Sequence, residues 1–132
     1  GFPNREALDR QLVGLFQSHQ VDVVVMAGWM RIVTDVLVDA FPERLVNIHP
    51  SLLPSFRGLD AVGQALQAGV SISGCTVHIV TADLDAGPIL AQAAVPVFAA
   101  DTHASLSGRV QKQEHVLLPA TLQQNAHRWR QG

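Results

Sequence analysis

Asn47-Ile48-His49-Pro50-Ser51-Leu52-Leu53-Pro54 closes an apolar segment that begins at Leu45. In an extended chain alternate side chains share a face, so Asn47 and His49 point one way while Ile48 turns into the core. Pro50 has no backbone donor and fixes its own φ, which ends the strand at His49 and leaves that residue at the exposed carboxyl end. An amide and an imidazole thus converge where open α/β sheets hold their ligands. The same residues also suit ordinary loop chemistry, because a polar strand end followed by a Pro-Ser turn is common. The surrounding chain has to decide between a site and a turn.

Upstream, the β-branched run Val21-Asp22-Val23-Val24-Val25-Met26-Ala27 predicts a strand buried on both faces of a parallel sheet. Ahead of it, Asn4 can cap a helix with Leu8, Leu12, Leu15 and Phe16 at helical spacing and Arg5, Glu6, Asp9 and Arg10 on the other side. Gly28-Trp29-Met30-Arg31-Ile32 reads as a loop at the carboxyl end of the first strand. Val36, Leu37, Ala40 and Phe41 then form the stripe of a short helix stopped by Pro42. Helix, strand, helix and strand in that order predict α/β winding.

Downstream, residues 52–60 form a loop punctuated by Pro54 and Gly58, and Asp60 caps a helix through Val62, Ala65 and Leu66 that ends at Gly69. From Ser73 the alternation puts Cys75, Val77 and Ile79 on one face and Thr76, His78 and Val80 on the other. Residues 81–87 make a loop with two carboxylates, Asp83 and Asp85, and residues 88–98 resume a strand. Asp83 suits either a turn that caps its own backbone or a site wall. A long last helix follows, with Leu106, Val110 and Leu117 as core anchors and Pro119 kinking or ending its first part.

At 132 residues, 48% hydrophobic and 15% charged, residues 1–132 are expected to form a single domain with a real core. One cysteine, Cys75, precludes an internal disulfide and a CxxC-type metal cluster, so no metal is expected and a reducing cytoplasm fits. The formal charge of -2 leaves no broad basic surface for nucleic acid. Neither a bilayer-spanning apolar run nor a leader is visible, so membrane insertion and secretion are not expected.

The chain resembles the phosphoribosylglycinamide formyltransferase family. The resemblance rests on Ala27-Gly28-Trp29-Met30-Arg31-Ile32, on Asn47 through Pro54, on Gly74 through Leu84-Asp85-Ala86-Gly87-Pro88, and on Gln111-Lys112-Gln113-Glu114-His115. The second and third stretches are shared with other users of formyl-tetrahydrofolate, including formyltetrahydrofolate deformylase and methionyl-tRNA formyltransferase. The resemblance implies a formyltransferase-type Rossmann-like three-layer α/β fold. The implied reaction moves a formyl group from 10-formyltetrahydrofolate, as co-substrate, to the amine of glycinamide ribonucleotide in purine synthesis.

By position, the resemblance makes Asn47, His49 and Asp85 the catalytic trio. Amine attack leaves negative charge on the formyl oxygen, which an imidazolium and an amide donor stabilise, and a neighbouring carboxylate favours the charged ring. It assigns the folate to Arg5, to the loop Met30, Arg31, Ile32 and Val33, to Asn47, and to the loop Thr81, Ala82, Asp83, Leu84 and Asp85. It assigns the ribonucleotide to Gln111 and Glu114, one turn apart on the last helix. Without the resemblance that pair reads as a solvated helix surface. The family's first strand and glycine-rich phosphate loop have no counterpart here, so the fold is expected to be truncated at its N-terminal side. A homodimer is expected to cover the sheet edge this leaves. Two other functions remain open at this point: hydrolysis of formyl-tetrahydrofolate, and a non-catalytic folate-binding or assembly module.

Overall fold

A computed structural model describes residues 5–18, 23–26, 35–83 and 85–130, without the side chains of Arg5, Glu6, Leu8, Phe16 and Arg130. The described elements run α1 (Arg5–Ser18), β1 (Val24–Val25), α2 (Asp35–Ala40), β2 (Leu45–His49), α3 (Ala61–Ala68), β3 (Ile72–Ile79), β4 (Ile89–Pro96), α4 (His103–Gln124) and α5 (His127–Arg130). The strands form one sheet in the order β1-β2-β3-β4.

β2 decides the layering by alternation. Val46 and Ile48 enter a core cluster with Val62 and Ala65 of α3, Cys75, Val77 and Ile79 of β3, and Leu106 and Val110 of α4. Leu45 faces the opposite way, into a second cluster with Val24, Met26, Leu37 and Phe41, against which Leu12 and Val13 of α1 pack. Helices therefore cover both faces, as the expected three-layer α/β arrangement requires. Asn47 and His49 share the Leu45 face.

The sheet is mixed rather than parallel. β1 runs parallel to β2, but β2 pairs antiparallel with β3, and β3 with β4. α3, eight residues long and so about 12 Å, does not carry the chain back to the start of β2. β3 therefore begins beside the end of β2 and runs down it, with His49 opposite Thr76 and Val46 opposite Ile79.

Other expectations are corrected in detail. Within the described residues the first strand is Val24–Val25, and Val25 is 38% exposed, so this strand is not buried on both faces. The buried stripe of α1 passes through Asp9, Leu12 and Val13, at i, i+3 and i+4, which leaves Leu15 53% exposed and puts Asp9 inside. α4 continues through Pro119 to Gln124. Asp60 caps α3 by accepting from the Gly63 amide at 3.2 Å, and Gly69 closes it at φ 72, both as read from sequence. Among the described residues no helix is long and apolar enough to cross a membrane.

Candidate active site

The Pro50 break does what the sequence suggests and more. Beyond His49 the chain turns over the strand end, and Leu53-Pro54 is a cis peptide. The Phe56 carbonyl comes back to the His49 ring, 2.8 Å from Nε2. A carbonyl only accepts, so Nε2 carries a proton. The ring is consequently buried under its own loop, 6% exposed, rather than open at the strand end.

Asp85 approaches from the loop after β3. Its Oδ2 lies 3.5 Å from His49 Nδ1 and accepts the Gly58 amide at 2.8 Å. Both ring nitrogens of His49 thus face acceptors, an arrangement that the doubly protonated imidazolium satisfies. The backbone of Asp85 is left-handed, φ 51, a conformation that Asp tolerates better than most residues.

His78 completes the cluster. It stands opposite Asn47 in the antiparallel ladder, with Nε2 3.5 Å from Asn47 Nδ2 and 3.9 Å from Asp85 Oδ1. Its Nδ1 is 3.1 Å from the Ile79 carbonyl and donates to it, so the neutral ring offers Nε2 as an acceptor. That lone pair turns the Asn47 NH2 toward it. Burial lowers the His78 pKa from its ordinary value, against opposing contributions from the Ile79 carbonyl and Asp85, while His49 adds to the lowering. Asn47 Oδ1 is buried and has no hydrogen-bond partner among the described residues. Such an atom costs stability unless a bound molecule completes it.

Of the residues expected in the site, the structure brings together Asn47, His49 and Asp85. Thr81, Ala82 and Asp83 lie on the same loop as Asp85, with Thr81 Oγ1 donating to the Asp83 carbonyl at 3.3 Å. Met30, Arg31, Ile32, Val33 and Leu84, and the side chain of Arg5, lie outside the described residues. Gln111 is exposed and Glu114 half-buried on α4. That helix packs on the opposite face of the sheet from Asn47 and His49, and neither side chain is hydrogen-bonded to the trio. Burial raises the Glu114 pKa, with His115 opposing, and Glu114 lies close enough to Cys75 to help push that thiol up to about 11, the larger cause being burial.

His78 was not singled out as a site residue from sequence. The signal was its place on the Thr76 face. Turning that into a contact with Asn47 needed the antiparallel pairing of β2 and β3.

An amide, an imidazole and a carboxylate gather at the end of a central strand of the described mixed α/β sheet, on a formyl transferase fold. The chain belongs to the formyl transferase family, whose sequence profile matches residues 1–122. It is 47% identical over 92% of its length to the phosphoribosylglycinamide formyltransferase of Escherichia coli strain K12, and 41% identical over 93% to that of Bacillus subtilis strain 168. It covers 57% and 63% of those two proteins. The solved glycinamide ribonucleotide transformylase 1 from Symbiobacterium toebii superposes with a TM-score of 0.89 at 50% identity, over 92% of this chain and 57% of that one. The chain thus spans about three fifths of the length of these relatives.

Proposed function

We propose that residues 1–132 act as a single formyltransferase catalytic domain, transferring the formyl group of 10-formyltetrahydrofolate to the amine of glycinamide ribonucleotide in de novo purine synthesis. The observation that carries this reading is the His49–Asp85 pair at 3.5 Å on the same face as Asn47, whose buried Oδ1 has no hydrogen-bond partner among the described residues. Similarity to phosphoribosylglycinamide formyltransferases supports the choice of substrates.

The co-substrate supplies an activated formyl carbon. As the amine nitrogen bonds to that carbon, the carbonyl oxygen gathers negative charge, and the bond from the carbon to the folate nitrogen then breaks. The proton lost by the amine ends on that nitrogen. Asn47 and His49 answer the developing charge. With one Nδ2 hydrogen toward His78, Asn47 has a second for the oxyanion. The 3.5 Å between His49 Nδ1 and Asp85 exceeds the roughly 2.7–2.9 Å of a charge-assisted N–H···O bond. The Nδ1 proton is therefore not locked in a short bond to Asp85, and it remains available to an oxyanion placed along the fixed Nδ1–H direction. Asp85 places its carboxylate 3.5 Å from Nδ1, on the side where the ring meets the developing charge. Asn47 Oδ1 is an acceptor for the attacking amine.

Folate contacts are assigned to Arg5, to Met30, Arg31, Ile32 and Val33, and to the loop from Thr81 to Asp85. Ribonucleotide contacts are assigned to Gln111 and Glu114. These assignments rest on the family resemblance. Glu114, half-buried and without a hydrogen-bond partner among the described residues, is a suitable acceptor for ammonium or amide protons. The lone cysteine supports a cytoplasmic location. Val25, 38% exposed on the outermost strand of the described sheet, supports self-association, a homodimer burying about 1,000 Å² or more, which sedimentation tests.

Supplying 10-formyltetrahydrofolate with and without the ribonucleotide tests the function. Transfer that requires the ribonucleotide supports it, ribonucleotide-independent release of formate indicates a hydrolase, and no turnover indicates a binding module.

A further inference from the structure

Gln92 lies on β4 directly opposite Thr76, which in turn lies opposite His49. It is exposed, on the outer strand of the described sheet, two strands and so about 10 Å from His49. At that distance it cannot touch reacting atoms. Its amide nevertheless donates twice from Nε2, to the Leu53 carbonyl at 2.9 Å and to Thr76 Oγ1 at 3.1 Å.

Thr76 is fully buried and saturated by these bonds. Its hydroxyl proton goes to the Ser51 carbonyl at 2.7 Å, while Oγ1 accepts from the Leu53 amide at 3.0 Å and from Gln92. The chain on both sides of Leu52 is thereby tied to β3 and β4. From this anchor the loop continues to the site. Ser51 Oγ donates to the Ser55 carbonyl, the Phe56 carbonyl accepts from His49 Nε2 at 2.8 Å, and the Gly58 amide donates to Asp85 Oδ2 at 2.8 Å. His49 and Asp85 each take an orienting bond from the backbone of one loop, and Gln92 fastens the root of that loop.

We propose that Gln92 is a positioning residue for formyl transfer: through Leu53 and Thr76 it fixes residues 51–58, and through them the ring of His49 and the carboxylate of Asp85. The proposal rests on the site being a formyl-transfer site. A purely structural Gln92 would affect stability alone. A positioning Gln92 affects the chemical step, because small misplacements of reacting groups cost rate steeply.

The test compares Gln92→Leu, which keeps bulk but no donors, with Arg109→Met. The latter removes a clamp of similar size elsewhere, the pair of bonds from Arg109 to Asp101 at 2.8 and 2.9 Å. Two readouts are taken: steady-state formyl transfer, and solvent exchange of the His49 Nε2 proton by NMR, which needs no turnover. Gln92→Leu is expected to lower kcat about 10- to 100-fold with little change in KM, and to speed exchange of the His49 proton. Arg109→Met is expected to lower Tm while leaving kcat and that exchange as in the unmodified chain. Unchanged exchange in Gln92→Leu overturns the proposal whether or not the protein is active, and so does faster exchange with unchanged kcat. If the unmodified chain transfers no formyl group, the functional reading fails, while the exchange arm still decides whether Gln92 holds His49.

Discussion

His78 and Asn47 face each other across the β2–β3 ladder, and because Nδ1 of the ring is committed to the Ile79 carbonyl, Nε2 presents its lone pair to the Asn47 amide 3.5 Å away. The amide is oriented by a histidine that burial keeps neutral. In the folded chain the His78 pKa lies below its ordinary value of 6.5, so as pH falls through 6.5 the unfolded chain takes up a proton that the folded chain refuses. Stability from this residue is present above that pH and declines below it. His78→Gln should therefore flatten the fall of Tm on acidification below pH 6.5. A variant whose Tm falls as steeply as the unmodified protein's would contradict a neutral, buried His78.

Glu114 has the opposite sign. Burial raises its pKa above 4.5, so between 4.5 and the folded value the folded chain holds the extra proton, and stability falls as pH rises through that window. Glu114→Gln should melt higher than the unmodified chain at pH 7, with the difference disappearing below pH 4.5. If Glu114 also binds the ribonucleotide, the same variant should lose affinity while gaining stability. A lower Tm at pH 7 would show that the carboxylate has a stabilising partner.

Trp129 closes the core from the far end of the chain. It is 4% exposed, packs in the cluster that contains Val46 and Ile48, and donates from Nε1 to the Glu43 carbonyl at 2.9 Å, while the Trp129 carbonyl accepts from Arg44 Nη1 at 3.0 Å. Trp129→Ala should cost about 3–5 kcal/mol in denaturant unfolding. Trp129→Phe, which leaves the Glu43 carbonyl unpaired, should cost about 1–3 kcal/mol. A loss below about 1 kcal/mol for the alanine variant would be too small for a buried tryptophan.

Gly87 holds the loop that carries Asp85 against β3. A Cβ there would collide with the Ile79 carbonyl, and Thr81 Cγ2 would lie 3.2 Å away. The Ile79 amide also donates to the Pro88 carbonyl at 2.8 Å, so backbone meets backbone and neither side can yield cheaply. Gly87→Ala should shift residues 81–88, displace Asp85 from Gly58 and His49, and lower formyl transfer about 100-fold with folding retained. Normal turnover by this variant would show that the loop position does not set the Asp85 geometry.

Much of this was legible from the chain. The bounds of β2, the Asp60 and Gly69 caps of α3 and the division of β3 into a core face and a Thr76-His78 face all follow from local spacing, which the structure keeps. Local spacing could not give the antiparallel direction of β3, because direction is set by where an eight-residue helix delivers the chain. His78 was missed with it. The buried Asp9 and exposed Leu15 of α1 show the same limit, since several helical stripes were consistent with the sequence and packing against β1 and α2 selected one. The bond from Phe56 to His49 is made by a backbone carbonyl, which leaves no trace in side-chain identity.

The central claim is that the trio carries out formyl transfer, and a single-turnover assay with 10-formyltetrahydrofolate labelled in the formyl group tests it most directly. Label should move to glycinamide ribonucleotide when that substrate is present. His49→Ala and Asp85→Asn should each slow the transfer about 100- to 1000-fold while folate affinity changes far less. Transfer by His49→Ala at a near-normal rate, or release of label as formate at the same rate with and without the ribonucleotide, would contradict the account.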